Sequence, residues 1–196
     1  MIDLEQKINE IHQIPSDINE HIPTMLKYGQ ECDHITEMGV RGILSTWAWL
    51  ACAPKNKFIA YDLYDPSHWG GDIQAVKDIA KSYGINFEFI KADILNIDIE
   101  PTDLLFIDTW HHYNQLKAEL EKHSDKVRKY ICFHDTTSYE HRSEPTTSEN
   151  SFQEKLTEGK GLWDAITEFL DKNKEWKLKE RFMNNNGFTI IERSDA

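Results

Sequence analysis

Acidic residues close successive apolar runs along this chain: Glu37 in H-I-T-E-M-G-V-R-G-I-L-S-T, Asp62 in F-I-A-Y-D-L, Asp93 in I-K-A-D-I-L, Asp108 in D-L-L-F-I-D-T-W-H-H-Y and Asp135 in Y-I-C-F-H-D-T. His111 follows Asp108 by three positions and His134 directly precedes Asp135. Carboxylates accept protons from hydroxyls and amines and bind divalent cations, while imidazole exchanges a proton near neutral pH. If the runs are parallel strands, neighbouring ends lie about 5 Å apart, and Asp108, His134 and Asp135 can converge on one point. Two carboxylates and one imidazole suit magnesium or manganese and not a structural zinc site. A cation there could bind two neighbouring hydroxyls of an acceptor and lower the pKa of one of them. His111, with an ordinary pKa of about 6.5, is the best-placed general base. The alternative is that His134 and Asp135 organise the loop after their run and Asp108 caps the next helix.

The first run ends in an acid, a glycine and a tight turn into a helix, which is where open parallel sheets bind ligands. Gly39 lets the backbone approach a ligand, Glu37 suits an ammonium group, and Ser45 and Thr46, read as helix N-caps, suit a carboxylate. Asp62 stands where a carboxylate accepts ribose hydroxyls, and Asp93 where one meets an adenine amino group. A dinucleotide site would want G-x-G-x-x-G, whereas this loop reads G-V-R-G-I-L-S behind an acid that repels a pyrophosphate. Each acid taken singly also reads as an ordinary strand end, and each glycine as a plain turn. Trp69, Trp110 and Tyr113 offer stacking faces for sugars or purines, or else pack in the core or an interface. Trp47 and Trp49 read as helix core; His112 reads as exposed, and His12, His21, His68, His123 and His141 as surface residues.

The elements that must hold these residues alternate. Strands are expected at Ile35–Val40, Phe58–Leu63, Phe87–Lys91, Leu104–Asp108 and Tyr130–His134, with helices near Ser45–Cys52, Asp72–Tyr83 and Asn114–Lys126. This β-α period is that of a parallel sheet covered on both faces. Ile2 to Ile14 and Pro23 to Gly29 read as helices forming an N-terminal cap over residues 1–32. Residues 136–160 are polar and unpatterned and read as a lid loop. A helix from about Gly161 to Lys172 follows, then two alternating runs flanking Asn-Asn-Gly, which predict a β-hairpin.

With 196 residues the chain has room for one domain with a full core. Its net charge of −12 disfavours nucleic acid and anionic membranes. Cys32, Cys52 and Cys132 share no metal-binding spacing and are odd in number, so Cys52 and Cys132 read as core residues. No apolar run approaches the roughly 18 residues of a membrane span, and the expected location is the cytoplasm.

The order of these motifs, from Asp33 to Arg193, resembles class I S-adenosylmethionine (SAM)-dependent methyltransferases, and within them the branch of metal-dependent macrolide-sugar O-methyltransferases and cephalosporin hydroxylase-like proteins. The resemblance implies a Rossmann-like, doubly wound α/β sheet of seven strands with the last antiparallel. It implies a SAM site at Glu37, Gly39, Arg41, Ser45, Thr46, Asp62, Asp93, Ile94 and Asp108, with Asp108 and His111 catalytic and Asp108, His134 and Asp135 as metal ligands. In the sugar-methylating relatives the fifth strand ends in an acidic pair, here His134-Asp135, and the glycine four positions after the first is here Ile43. The activity implied is methylation of a hydroxyl on a small or sugar-like acceptor, assisted by magnesium or another divalent cation. The rival expectations are a nicotinamide-dependent oxidoreductase and a non-catalytic nucleoside-binding module on the same scaffold; self-association is a further expectation.

Overall fold

A computed structural model describes residues 3–145 and 159–194. Seven strands form one sheet: β1 (His34–Met38), β2 (Lys57–Asp62), β3 (Phe87–Lys91), β4 (Thr102–Ile107), β5 (Val127–His134), β6 (Trp176–Phe182) and β7 (Phe188–Arg193). Their order is β3-β2-β1-β4-β5-β7-β6, with β1 to β5 parallel and β7 antiparallel to both its neighbours. The helices are α1 (Leu4–Gln13), α2 (Ile22–Gly29), α3 (Leu44–Ala51), α4 (Ile73–Ser82), α5 (Tyr113–His123) and α6 (Leu162–Lys172).

Every residue of β4 is buried, because helices cover both faces of the sheet. Ile35, Phe58, Leu104, Phe106 and Phe188 pack with Met25, Trp47 and Trp49 from α2 and α3. Their strand neighbours Ile59, Leu105, Ile107, Ile131 and Phe133 pack with Leu116, Leu120, Ile166 and Phe169 from α5 and α6. This is the alternation that a two-faced strand requires. All three cysteines are buried and free. Among the described residues no helix is long and apolar enough to cross a membrane.

The expected elements are present with shifted ends. β1 stops at Met38 and not Val40, because Gly39 turns to φ +89°. α5 gives way after His123 to a 3₁₀ turn over Ser124–Lys126, and α4 is capped by Asp72, which accepts the Ala75 N–H at 3.0 Å. In the hairpin, the Gly187 N–H returns to the Asn184 carbonyl at 2.8 Å. Asn185 and Asn186 between them have φ of 45° and 67°, the type I′ arrangement that matches strand twist. Of the lid expected over residues 136–160, positions 146–158 lie outside the described residues.

Three histidines expected at the surface are instead buried. His21 stacks on Phe188 at 5.1 Å and donates from Nε2 to the Asn184 and Asn185 carbonyls. His112 caps α5, accepting the Asn114 N–H at 3.2 Å through Nδ1, and stacks on Trp110. His123 Nε2 donates to the Ile94 carbonyl at 2.8 Å. Each ring satisfies a backbone group inside the fold, which is what lets a polar side chain be buried.

Candidate active site

The C-terminal edge of β1 is built around a conformation few residues tolerate. A Cβ on Gly39 would overlap the Asp108 carbonyl at the end of the adjacent β4, so this position admits only glycine. The loop enters α3 through Ile43, itself left-handed at φ 64°. Ile43 is thus the N-cap position, and Ser45 and Thr46 do not cap the helix, as the sequence suggested. They lie in its first turn, where α3 packs on β1. There the Thr46 hydroxyl donates to Glu37 Oε2 at 2.8 Å.

Glu37 is fully buried, and its Oε1 has no hydrogen-bond partner. Burial pushes its pKa up to about 8, against the opposing pull of Ser45 and Thr46. The carboxyl is therefore poised to ionise when a cationic group reaches Oε1.

Asp62 at the end of β2 is already engaged. Its Oδ2 accepts the Val40 and Arg41 N–H groups at 2.8 and 2.9 Å, and its Oδ1 accepts that of Tyr64 at 2.9 Å. A carboxylate has about four acceptor positions, so Asp62 organises the β1–α3 loop and keeps one position for a ligand. The same bonds withhold two loop amides from any pyrophosphate, which counts against a dinucleotide. Asp93 follows β3 and caps the turn over Ile94–Asn96, accepting from Leu95 N at 3.0 Å and Asn96 Nδ2 at 2.7 Å. Ile94 itself is buried in the core. Glu37, Asp62 and Asp93 thus stay on one edge of three adjacent strands.

A cavity of about 450 Å³ opens at this edge, within the range of small-molecule sites. Its walls are Ser16, Asp17 and Ile18 from the segment between α1 and α2, Val40 and Arg41 from the loop, Ser45 from the first turn of α3, Trp69 from beyond β2, and Asp108. Arg41 spans it, 3.7 Å from Asp17 Oδ2 and 5.9 Å from the Trp69 ring.

Beyond Asp108 lies a cluster of acids and imidazoles. His111 Nε2 is 3.0 Å from Asp135 Oδ2 and 3.3 Å from Asp108 Oδ1, and its Nδ1 is 3.1 Å from Glu144 Oε2. Asp108, His111 and Asp135 each bring one donor atom within 4.8 Å of the others, close enough to share a cation. His134 Nδ1 lies 3.1 Å from Asp135 Oδ2 and 3.5 Å from Asp108 Oδ2, while its Nε2 donates to the Asp17 carbonyl at 2.8 Å. Burial pulls the His111 pKa down, but hydrogen bonds to Asp108, Asp135 and Glu144 outweigh it and hold the ring well above its ordinary value. His134 is likewise raised, against burial, by the charges of Asp108 and Asp135. Both aspartates are held low by these rings despite burial. The acids and imidazoles thus form one electrostatic network in which each favours the charged form of the other.

Four participants escaped the sequence reading. Asp17 and Glu144 sit in unpatterned segments; Tyr139 stacks on His111 at 4.7 Å from the polar stretch. Glu119 on α5 is fully buried, accepting from Thr109 Oγ1 at 2.6 Å and Gln115 Nε2 at 2.8 Å. Only its i, i+4 spacing to Gln115 was visible in the sequence.

No protein-family model and no curated protein sequence matches the chain. Solved structures do match. An S-adenosylhomocysteine (SAH)-bound methyltransferase, PaMTH1 from Podospora anserina, superposes with a TM-score of 0.58 at 15% identity, over 98% of this chain and 88% of that one. A protein assigned as a caffeoyl-CoA O-methyltransferase from Staphylococcus aureus gives 0.61 at 13% identity, over 98% and 93%. One assigned as an O-methyltransferase from Klebsiella pneumoniae gives 0.61 at 13% identity, over 97% and 89%. At these identities the likeness is one of fold, and this chain has, over nearly its whole length, the fold of class I O-methyltransferases.

Proposed function

We propose that the chain is a SAM-dependent O-methyltransferase acting on a hydroxyl of a small, sugar-like acceptor. One observation carries the reading: on this fold, a single cavity runs from a corner at Ser45, next in sequence to the Thr46 that holds the buried Glu37, to Asp108, which His111 contacts together with Asp135. The corner offers a buried carboxyl to an amino acid ammonium group, and the far end offers a base and acids to a hydroxyl. When bound, SAM supplies the methyl group on a sulfonium leaving group, so the chain has chiefly to align and desolvate the reactants.

Glu37 takes the ammonium and Asp62 keeps the loop in the path that forms the cavity wall. Trp69 and Arg41 close the rim. His111 exchanges the acceptor proton at Nε2 and does so as a base only when the ring is neutral. The donor set fits a divalent cation, because Asp108 and Asp135 converge and two imidazoles face them. Of the two, His134 already donates Nε2–H to a backbone carbonyl, the outer contact of a metal-bound imidazole; it would complete the set with Nδ1 and leave His111 for the proton. Magnesium or manganese held there would supply a Lewis acid for the acceptor hydroxyl. The acidity of the chain favours a neutral polyol over nucleic acid.

Calorimetry with SAM and with SAH, with and without magnesium or manganese, tests the reading, followed by transfer of labelled methyl to a panel of glycosides and polyols. Binding of both nucleosides with transfer to a hydroxyl is expected. Failure of both to bind would overturn it.

A further inference from the structure

The His111 ring is held on three sides. Nε2 faces Asp135 and Asp108, Nδ1 faces Glu144 Oε2 at 3.1 Å, and the Tyr139 ring lies nearly parallel against one face at 10°. The two nitrogens of an imidazole diverge, so Glu144 stands on the side of the ring away from the aspartates. It can share neither a cation nor an acceptor hydroxyl with them. An ionised carboxylate only accepts hydrogen bonds, so the proton in this contact sits on Nδ1. Nε2 is then the nitrogen that exchanges a proton with whatever lies between Asp108 and Asp135.

Backbone contacts put Glu144 there independently of its side chain. Its N–H donates to the His111 carbonyl at 2.8 Å. Next to it, Ser143 Oγ accepts the Tyr113 N–H at 3.2 Å and donates to the Lys160 carbonyl at 3.2 Å. The segment after β5 is thereby stitched to the start of α5 on one side and to the approach of α6 on the other. Removing the Glu144 carboxylate leaves this stitching intact.

We propose that Glu144 is a positioning residue for His111, fixing the ring in the orientation and the Nδ1–H form that present Nε2 to the space between Asp108 and Asp135. The segment after β5 thus supplies the edge contact from Glu144 and the face contact from Tyr139, and the chemistry at Nε2 depends on its being in place. The consequence for methyl transfer rests on the function proposed above; the orientation of the ring does not.

Protein labelled with ¹⁵N-histidine tests this by NMR. A slowly exchanging Nδ1–H signal, assigned to His111 by its loss in His111→Gln, is expected in the wild type. Glu144→Ala should abolish it, while Glu144→Gln, whose amide oxygen still accepts, should keep it. Both Glu144 variants should stay folded, Glu144→Ala with a thermal midpoint lowered by the loss of one charge-assisted bond, and should retain wild-type SAM affinity, because neither the backbone stitching nor the cavity is touched. Methyl transfer should fall roughly 10–100-fold in Glu144→Ala, as for lost outer contacts to other functional histidines, and recover in part in Glu144→Gln. A His111 signal that persists in Glu144→Ala, or is absent from the wild type, overturns the proposal. If SAM does not bind the wild type while the signal still depends on Glu144, the positioning role stands and the methyl-transfer reading fails.

Discussion

Thr46 donates its hydroxyl to Glu37 at 2.8 Å across the seam between α3 and β1, where both residues are fully buried. The bond satisfies one carboxyl oxygen and leaves the other, Oε1, without a partner. An acid held in this way is half of a binding site for a cation.

Binding of SAM should therefore release a proton. Burial holds the Glu37 pKa near 8, so the group is largely protonated at neutral pH, and an ammonium at Oε1 lowers that value. Calorimetry at pH 7 in buffers of different ionisation enthalpy should show a buffer-dependent heat. Glu37→Gln should remove that dependence and weaken binding about 10–100-fold, corresponding to a charge-assisted hydrogen bond of about 1.5–3 kcal/mol. Heats that do not vary with buffer would remove Glu37 from the ligand's ammonium.

The same burial sets a pH dependence of stability. Glu37 and Glu119 are raised by burial from 4.5 to about 8 and about 7. For an acid raised on folding, the native state holds more protons than the unfolded chain between the two values. The contribution is thus complete below pH 4.5 and is lost as pH rises towards 7 and 8. Ligand-free protein should lose thermal stability over that window, and the slope should flatten in the Glu37→Gln, Glu119→Gln double variant. An unchanged slope would mean that neither carboxyl carries the linkage.

Gly39 and Gly42, three residues apart, should respond differently to alanine. Gly39→Ala combines a left-handed φ with overlap of the Asp108 carbonyl, for a cost of about 2–4 kcal/mol. Gly42 has open space and no positive φ, so Gly42→Ala should lie within about 0.5 kcal/mol of the wild type. Urea denaturation compares them; equal effects would contradict the close packing of the β1 and β4 ends.

Asn185 joins distant parts of the chain. Its amide donates to the Ser16 carbonyl at 2.7 Å and accepts the Glu20 N–H at 3.0 Å, from a left-handed position in the β6–β7 turn. Asn185→Ala should cost about 1–3 kcal/mol and loosen the Ser16–Ile18 wall of the cavity, lowering SAM affinity. Asn185→Gly relieves the backbone but loses the same side-chain bonds, so it should recover part of the stability and little of the affinity. Full recovery of affinity by glycine would show that the side chain does not hold the wall.

Local pattern by itself determined the alternation of strands and helices, the acids at strand ends and the closing hairpin. Phe58–Tyr61 and Leu104–Ile107 read as buried strands because continuous apolar runs have few other uses, and Asp72 reads as a helix start because its side chain satisfies a free amide. These are nearest-neighbour effects, and a sequence displays them directly. Only the tertiary structure decided what each polar group meets. Asp62 turns back onto the loop amides, Thr46 serves Glu37 and not a helix end, and three histidines are buried on backbone carbonyls and amides. Glu144 reaches His111 from 33 positions away. Such contacts depend on how helices and loops pack over the sheet edge, and no periodicity records them, because a polar residue in an irregular segment has no local partner to betray its role.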